Sequence, residues 1–134
     1  MKILLVSHGD MAQGLCATAQ KFFGASDIYY ANVELETGTK GLIEKVNNYL
    51  NEWNGEQVVV CSDLKGGSAN QTVVQMLNND NFFLVSGMNL ALILQLIMCQ
   101  EVTKESLVSM IEDAKNDLVF VNEVLKNVSS DDDE

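Results

Sequence analysis

The stretch Val58-Val59-Val60-Cys61-Ser62-Asp63-Leu64-Lys65-Gly66-Gly67-Ser68-Ala69-Asn70 decides the fold. Its first four residues form an unbroken apolar run, the pattern of a β-strand buried on both faces. A polar, glycine-rich turn follows. Beyond it the period changes, and Ala69, Val73, Met76 and Leu77 recur at helical spacing. A buried strand that passes through a tight turn into a helix is the unit from which parallel α/β sheets are built.

The same alternation continues on both sides. Ile3–Val6 is a second continuous apolar run. After it Ala12, Leu15, Cys16, Ala19, Phe22 and Phe23 mark a helix, with Asp10 as its N-cap and Gly24 as its stop. Ile28–Val33 reads as a strand. Leu42, Ile43, Val46, Tyr49, Leu50 and Trp53 lie on one face of the next helix, which stops near Gly55. Phe82–Val85 is the last clear strand, followed by helices around 89–99 and 103–115. Leu118–Val121 has two readings, an extension of the last helix or a short extra strand. The pattern predicts an α/β three-layer sandwich: a central, mainly parallel sheet with helices on both faces. In the common strand order 2-1-3-4, ligands bind where the order reverses, beyond the C-terminal ends of strands 1 and 3.

Composition narrows what such a site does. The 134 residues suit one domain, over 1–128, and Ser129-Ser130-Asp131-Asp132-Asp133-Glu134 reads as a disordered acidic tail. All eight basic residues are lysine against 19 acidic ones, a net charge of −11. That charge opposes a nucleic-acid backbone and argues against DNA or RNA as a partner. Without arginine there is no guanidinium clamp or arginine finger. His8 is the only histidine, so neither a histidine-rich nor a four-cysteine metal site is expected, and no cofactor is called for. Cys16, Cys61 and Cys99 are widely spaced among apolar neighbours and read as buried reduced thiols, which suits the cytoplasm. The N-terminal apolar run is too short for a signal peptide. Residues 81–100 carry no charge, but Ser86, Gly87, Asn89 and Gln95 interrupt them, so a buried strand and helix are expected instead of a membrane span.

The predicted switch point collects the chemistry. Strand 1 runs out into Ser7-His8-Gly9-Asp10, and strand 3 into Ser62-Asp63 and the turn to Ser68. Taken singly, each residue has an ordinary structural use: a histidine at a strand end, an aspartate in a turn, a Gly-Gly-Ser loop, Lys65 as a solvated cation. Their convergence on one crevice is what points to function. An imidazole is a nucleophile near neutral pH. A carboxylate that holds one ring nitrogen as N–H leaves the other nitrogen's lone pair free. Gly66 and Gly67 let the backbone approach closely, and amides with the Ser68 hydroxyl can hold an anion. Together they describe a histidine that takes a phosphoryl group.

Three segments, Ile3-Leu4-Leu5-Val6-Ser7-His8-Gly9, Asp63-Leu64-Lys65-Gly66-Gly67-Ser68 and Ser86-Gly87-Met88-Asn89-Leu90, make the chain resemble the mannose-family enzyme IIA component of the bacterial phosphoenolpyruvate:sugar phosphotransferase system (PTS) over residues 1 to about 125. The resemblance implies a phosphotransferase with a phosphohistidine intermediate. It makes His8 the phosphorylated residue, Asp63 the group that orients its ring, and Ser68, with Gly66 and Gly67, the phosphoryl contact. It implies that the phosphoryl arrives from the histidine-containing phosphocarrier protein and passes to the IIB component, serving membrane-embedded IIC and IID. It also implies a homodimer that exchanges an antiparallel edge strand, which favours the strand reading of Leu118–Val121. Ala69 and Ala91 stand where the family has proline, near helix starts that alanine also suits. Lys65 stands where an apolar or aromatic residue is usual, a change that bears on partner docking. The related phosphotransferase subunit of dihydroxyacetone kinase shares the fold and a histidine after strand 1. A response-regulator receiver domain would need an acidic pair where Ser7 and His8 stand. A flavodoxin-like protein would need a loop rich in Ser, Thr and Gly after strand 1.

Overall fold

The computed structural model describes residues 1–77 and 81–132, with side chains as far as residue 126. The elements alternate as the sequence predicts. They are β1 (Lys2–His8), α1 (Met11–Phe23), β2 (Ile28–Val33), α2 (Gly38–Glu52), β3 (Val58–Ser62), α3 (Ser68–Val74), β4 (Phe82–Ser86), α4 (Leu90–Ile97), α5 (Lys104–Lys115) and α6 (Val121–Asp132). They fall into two compact units, Met1–Val102 and Thr103–Glu134.

The first unit holds a four-stranded sheet in the order β2-β1-β3-β4, parallel throughout. Helices α1 and α4 pack together on one side of it and α2 and α3 on the other, which gives the three layers. Because both faces are covered, the central strands are apolar along their middles, Ile3–Val6 in β1 and Val58–Cys61 in β3. Leu4, Leu5, Val6, Val59, Val60 and Cys61 are fully buried. On the α2–α3 side, Leu4, Val6 and Val60 meet Leu42, Val46, Trp53 and Val73. Tyr29, Tyr49 and Trp53 extend that core as an aromatic cluster with ring centroids 4.7 to 5.5 Å apart.

Several local expectations are corrected. Asp10 precedes α1 but its side chain caps nothing; the Ser7 hydroxyl accepts the Ala12 N–H instead, at 2.7 Å. Gly24 does end α1. Phe22 and Phe23, expected on the buried face, are exposed, because α1's buried stripe of Ala12, Cys16 and Ala19 has ended by then. Helix α3 stops at Val74, and Met76 and Leu77 continue as tight turns whose N–H groups reach back to Val73 and Val74. Cys16 and Cys61 are buried, but Cys99 is only half-buried. Complete burial pushes the Cys61 thiol up to about 12. The uncharged stretch divides into β4 and α4, and among the described residues no helix is long and apolar enough to cross a membrane.

The second unit contains α5, opened by a capping box between Thr103 and Ser106, and α6. Residues 118–120 are a connector and Val121 begins α6, so Leu118–Val121 neither extends α5 nor forms a strand here. A strand exists only with a neighbour to complete its ladder, and no described segment pairs with this one. The acidic tail at 129–134 begins within α6, and its side chains and last two residues lie outside the described residues.

Leu4→Ala empties part of a site that is 0% exposed. It is expected to destabilise the protein by about 2–5 kcal/mol, measurable as a lower urea midpoint with unchanged slope.

Candidate functional site

Strand order sets the site. β1 and β3 are neighbours, and their register pairs Val6 with Ser62. The residues that leave the two strands therefore emerge side by side, His8 from one and Asp63 from the other. The structure brings these two together, with Ser68 and Gly67, in one cluster at the C-terminal edge of the sheet.

Asp63 holds His8 twice through one oxygen. Its Oδ2 accepts the His8 backbone N–H at 3.0 Å and lies 2.7 Å from ring Nδ1. Its Oδ1 accepts the Leu64 N–H at 2.9 Å. An ionised carboxylate only accepts, so Nδ1 carries the proton and Nε2 keeps its lone pair. The Ser68 hydroxyl lies 2.7 Å from Nε2 and donates to it. Both ring nitrogens are thus held, while the histidine side chain stays 49% exposed and that of Asp63 only 7%. Burial pushes the Asp63 carboxyl up, but the bonds from the His8 N–H, the His8 ring and the Leu64 N–H outweigh it. The net effect holds the carboxyl below its ordinary value.

The two glycines have different tasks. Gly66 takes φ of +81°, a conformation other residues adopt at a cost, and this turns the chain toward α3. Gly67 has an ordinary φ of −71° and is needed for space. A Cβ there would lie 3.0 Å from Leu64 Cδ1 and 3.2 Å from His8 Cε1. The first N–H engaged within α3 is that of Gln71, on Gly67 O at 2.9 Å. Helix geometry leaves the N–H groups of Ser68, Ala69 and Asn70 without an intrahelical acceptor. Ala69 is fully buried in the first turn of α3, where it takes the proline position without loss of the helix. Ala91 does the same in α4, whose cap is Asn89, accepting the Leu92 N–H at 2.9 Å. Lys65 is exposed in the turn.

Four buried polar residues, Ser7, Ser62, Asn70 and Thr72, were not singled out from the sequence as parts of the site. Their signal was available. Ser7, Ser62 and Ser86 each follow the last apolar residue of β1, β3 and β4, a repeated polar ending on strands that are otherwise apolar. Among the described residues no group of three His, Cys, Asp or Glu side chains could hold a metal ion.

A family model described as PTS system fructose IIA component matches residues 2–115. Among solved structures, the chain is similar to a PTS IIA protein associated with the fucose utilization operon of Streptococcus pneumoniae. The two are 28% identical over 92% of this chain and 95% of that one, with a TM-score of 0.82. It is also similar to the mannose/sorbose-specific IIA subunit of Enterococcus faecalis, at 24% identity over 89% and 92% of the two chains and a TM-score of 0.80. A phosphotransferase system component EIIA from Streptococcus agalactiae shares the fold at 16% identity over 91% and 98%, with a TM-score of 0.77. No curated protein matches the chain.

Two outcomes follow from the geometry. Gly67→Ala is expected to cost about 1–3 kcal/mol and to shift the His8 ring resonances, read by urea unfolding and by imidazole NMR. Asp63 has its carboxyl held low in the folded state, so it stabilises the fold above its unfolded value, roughly 3.9. That stabilisation is lost as pH falls through the folded value. The stability gap between the wild type and Asp63→Asn should therefore be full at pH 7 and close on acidification below about pH 4.

Proposed function

The chain belongs to the family of PTS fructose IIA components, and on that premise we propose that it accepts a phosphoryl group on His8 Nε2 and hands it on within a sugar phosphotransferase system. The observation that carries the proposal is the two-sided hold on the imidazole, with Asp63 on Nδ1 and Ser68 on Nε2. The donor is the histidine-containing phosphocarrier protein and the acceptor is the IIB component, which serves membrane IIC and IID. Such an exchange places the protein in the cytoplasm.

The residues supply each need of the transfer. The Nε2 lone pair attacks the phosphorus of the donor's phosphohistidine in line. The new N–P bond forms as the donor's N–P bond breaks, and the donor imidazole leaves with the electron pair. Asp63 holds the ring in the reactive tautomer and stabilises the positive charge that develops on it. The Ser68 hydroxyl leaves Nε2 and donates to a phosphoryl oxygen. With no arginine in the chain, this hydroxyl and the unengaged backbone N–H groups that open α3 provide the donors. The return step to the IIB component uses the same groups in reverse.

The proposal extends to a homodimer in which Leu118–Val121 pairs with the sheet of a second copy. What supports it is the apolar run there: Leu118 is 90% exposed and Phe120 67%. Phe120→Asp is expected to shift the protein toward monomer in sedimentation.

The central test incubates the protein with phosphoenolpyruvate and the two general phosphotransferase proteins, then maps the acid-labile phosphoryl group. Label is expected on His8 and absent from His8→Ala. Ser68→Ala is expected to slow uptake about 100-fold, the usual effect of losing one charge-stabilising donor. Transfer onward should reach a IIB component and not the nucleotide-bearing subunit of dihydroxyacetone kinase. Label retained at another residue in His8→Ala would overturn the assignment.

A further inference from the structure

We propose that Asn70 is a positioning residue for the transfer, fixing Ser68 against His8 Nε2 through a buried clasp with Ser62 and Ser86; this rests on the reading of His8 as the phosphoryl acceptor. The need for such a clasp is visible in α3. The helix has only seven residues, and its N-cap, Gly67, offers no side chain to its first turn. A helix this short is marginal without tertiary anchors. Yet Ser68, its first residue, must be held to within a few tenths of an ångström if its hydroxyl is to serve Nε2.

Asn70 supplies the anchor. It is 9% exposed and stands two residues after Ser68, about 200° around the helix, so it grips the side that Ser68 does not use. The Ser62 hydroxyl, at the end of β3, lies 2.9 Å from Asn70 Oδ1. The Ser86 hydroxyl, at the end of β4, also reaches Oδ1 and lies 3.0 Å from the Ser62 hydroxyl. The Ser62 carbonyl accepts the N–H groups of Gly87 and Met88, each at 3.0 Å, which ties in the loop after β4. From Ser68 itself, the carbonyl accepts the Thr72 hydroxyl at 2.8 Å. The Gln71 side chain donates to Gly66 O at 3.0 Å. Hydrogen bonds thus run from two strand ends to Asn70, and the helix backbone carries that anchorage the two residues back to Ser68. Buried networks of this kind act as units, and removing one member leaves its partners unsatisfied.

A residue that merely stabilises the fold would look similar in a thermal melt, so the test uses a double-mutant cycle. Phosphoryl uptake from the phosphorylated carrier is followed by rapid quench in the full-length protein. Asn70→Ala is expected to slow uptake about 10- to 100-fold, the effect of a displacement near 1 Å. In a Ser68→Ala background the same replacement should change the rate less than twofold, because the group it positions is already gone. The Ser62→Ala, Ser86→Ala double variant should reproduce the loss. The imidazole 15N signal of Nε2 should move in Asn70→Ala toward its value in Ser68→Ala. If Asn70→Ala does not fold, Ser86→Ala, which keeps the Ser62 donor, serves with the same readouts and a smaller expected loss. An unchanged rate and Nε2 signal, or an equal loss in both backgrounds, overturns the proposal. A wild type that takes no label, but whose Nε2 signal still follows Asn70, refutes the transfer reading and leaves the positioning role standing.

Discussion

The site depends on the lateral pairing of β1 with β3. The chain passes from β1 to β2 on one side, then crosses back over β1 to reach β3 on the other. At that reversal two loops leave neighbouring strands in opposite directions and open a crevice between them. The pairing of Val6 with Ser62 then fixes the offset, so that Asp63 meets both the backbone and the ring of His8. A shift of the β3 register would carry Asp63 away from the imidazole. The buried valines and leucines on both faces hold that register, so the same side chains that form the core also set the geometry of the His8–Asp63 pair.

The strand positions were legible in the sequence because buried strands leave continuous apolar runs, as at Val58–Cys61, and the order followed from the common wiring of such folds. His8, Asp63 and Ser68 were legible because each sits at the end of such a run or at the start of the helix that follows. What was not legible depends on contacts between distant segments. Nothing local says that Ser7, and not Asp10, caps α1, since both are good capping residues within reach of the first turn. Nothing local marks Asn70 as the partner of Ser62 and Ser86, which lie eight and sixteen residues away. The run Leu118–Val121 has strand composition, but a ladder needs a second strand, and the single chain places these residues before and at the start of α6.

The absence of arginine takes on a definite meaning in this setting. A guanidinium beside His8 would hold a phosphoryl group tightly. On the proposed transfer, the protein must release the group as readily as it accepts it, and neutral donors such as the Ser68 hydroxyl would stabilise it less strongly. The carboxylate of Asp63 adds a negative charge behind the ring, which supports the imidazole as charge develops and leaves no net positive trap.

Cys61 lies on β3 one residue before Ser62, sealed in the sheet that carries the His8–Asp63 cluster at its edge. A thiol raised to about 12 is almost entirely protonated at neutral pH and a poor nucleophile, so oxidants and electrophiles do not reach this strand while the sheet is intact. Its sulfur becomes reactive only when β3 separates from its neighbours. The strand that aligns Asp63 with His8 therefore carries an internal reporter of its own opening, silent in the folded protein and exposed with the first loss of the register on which that pair depends.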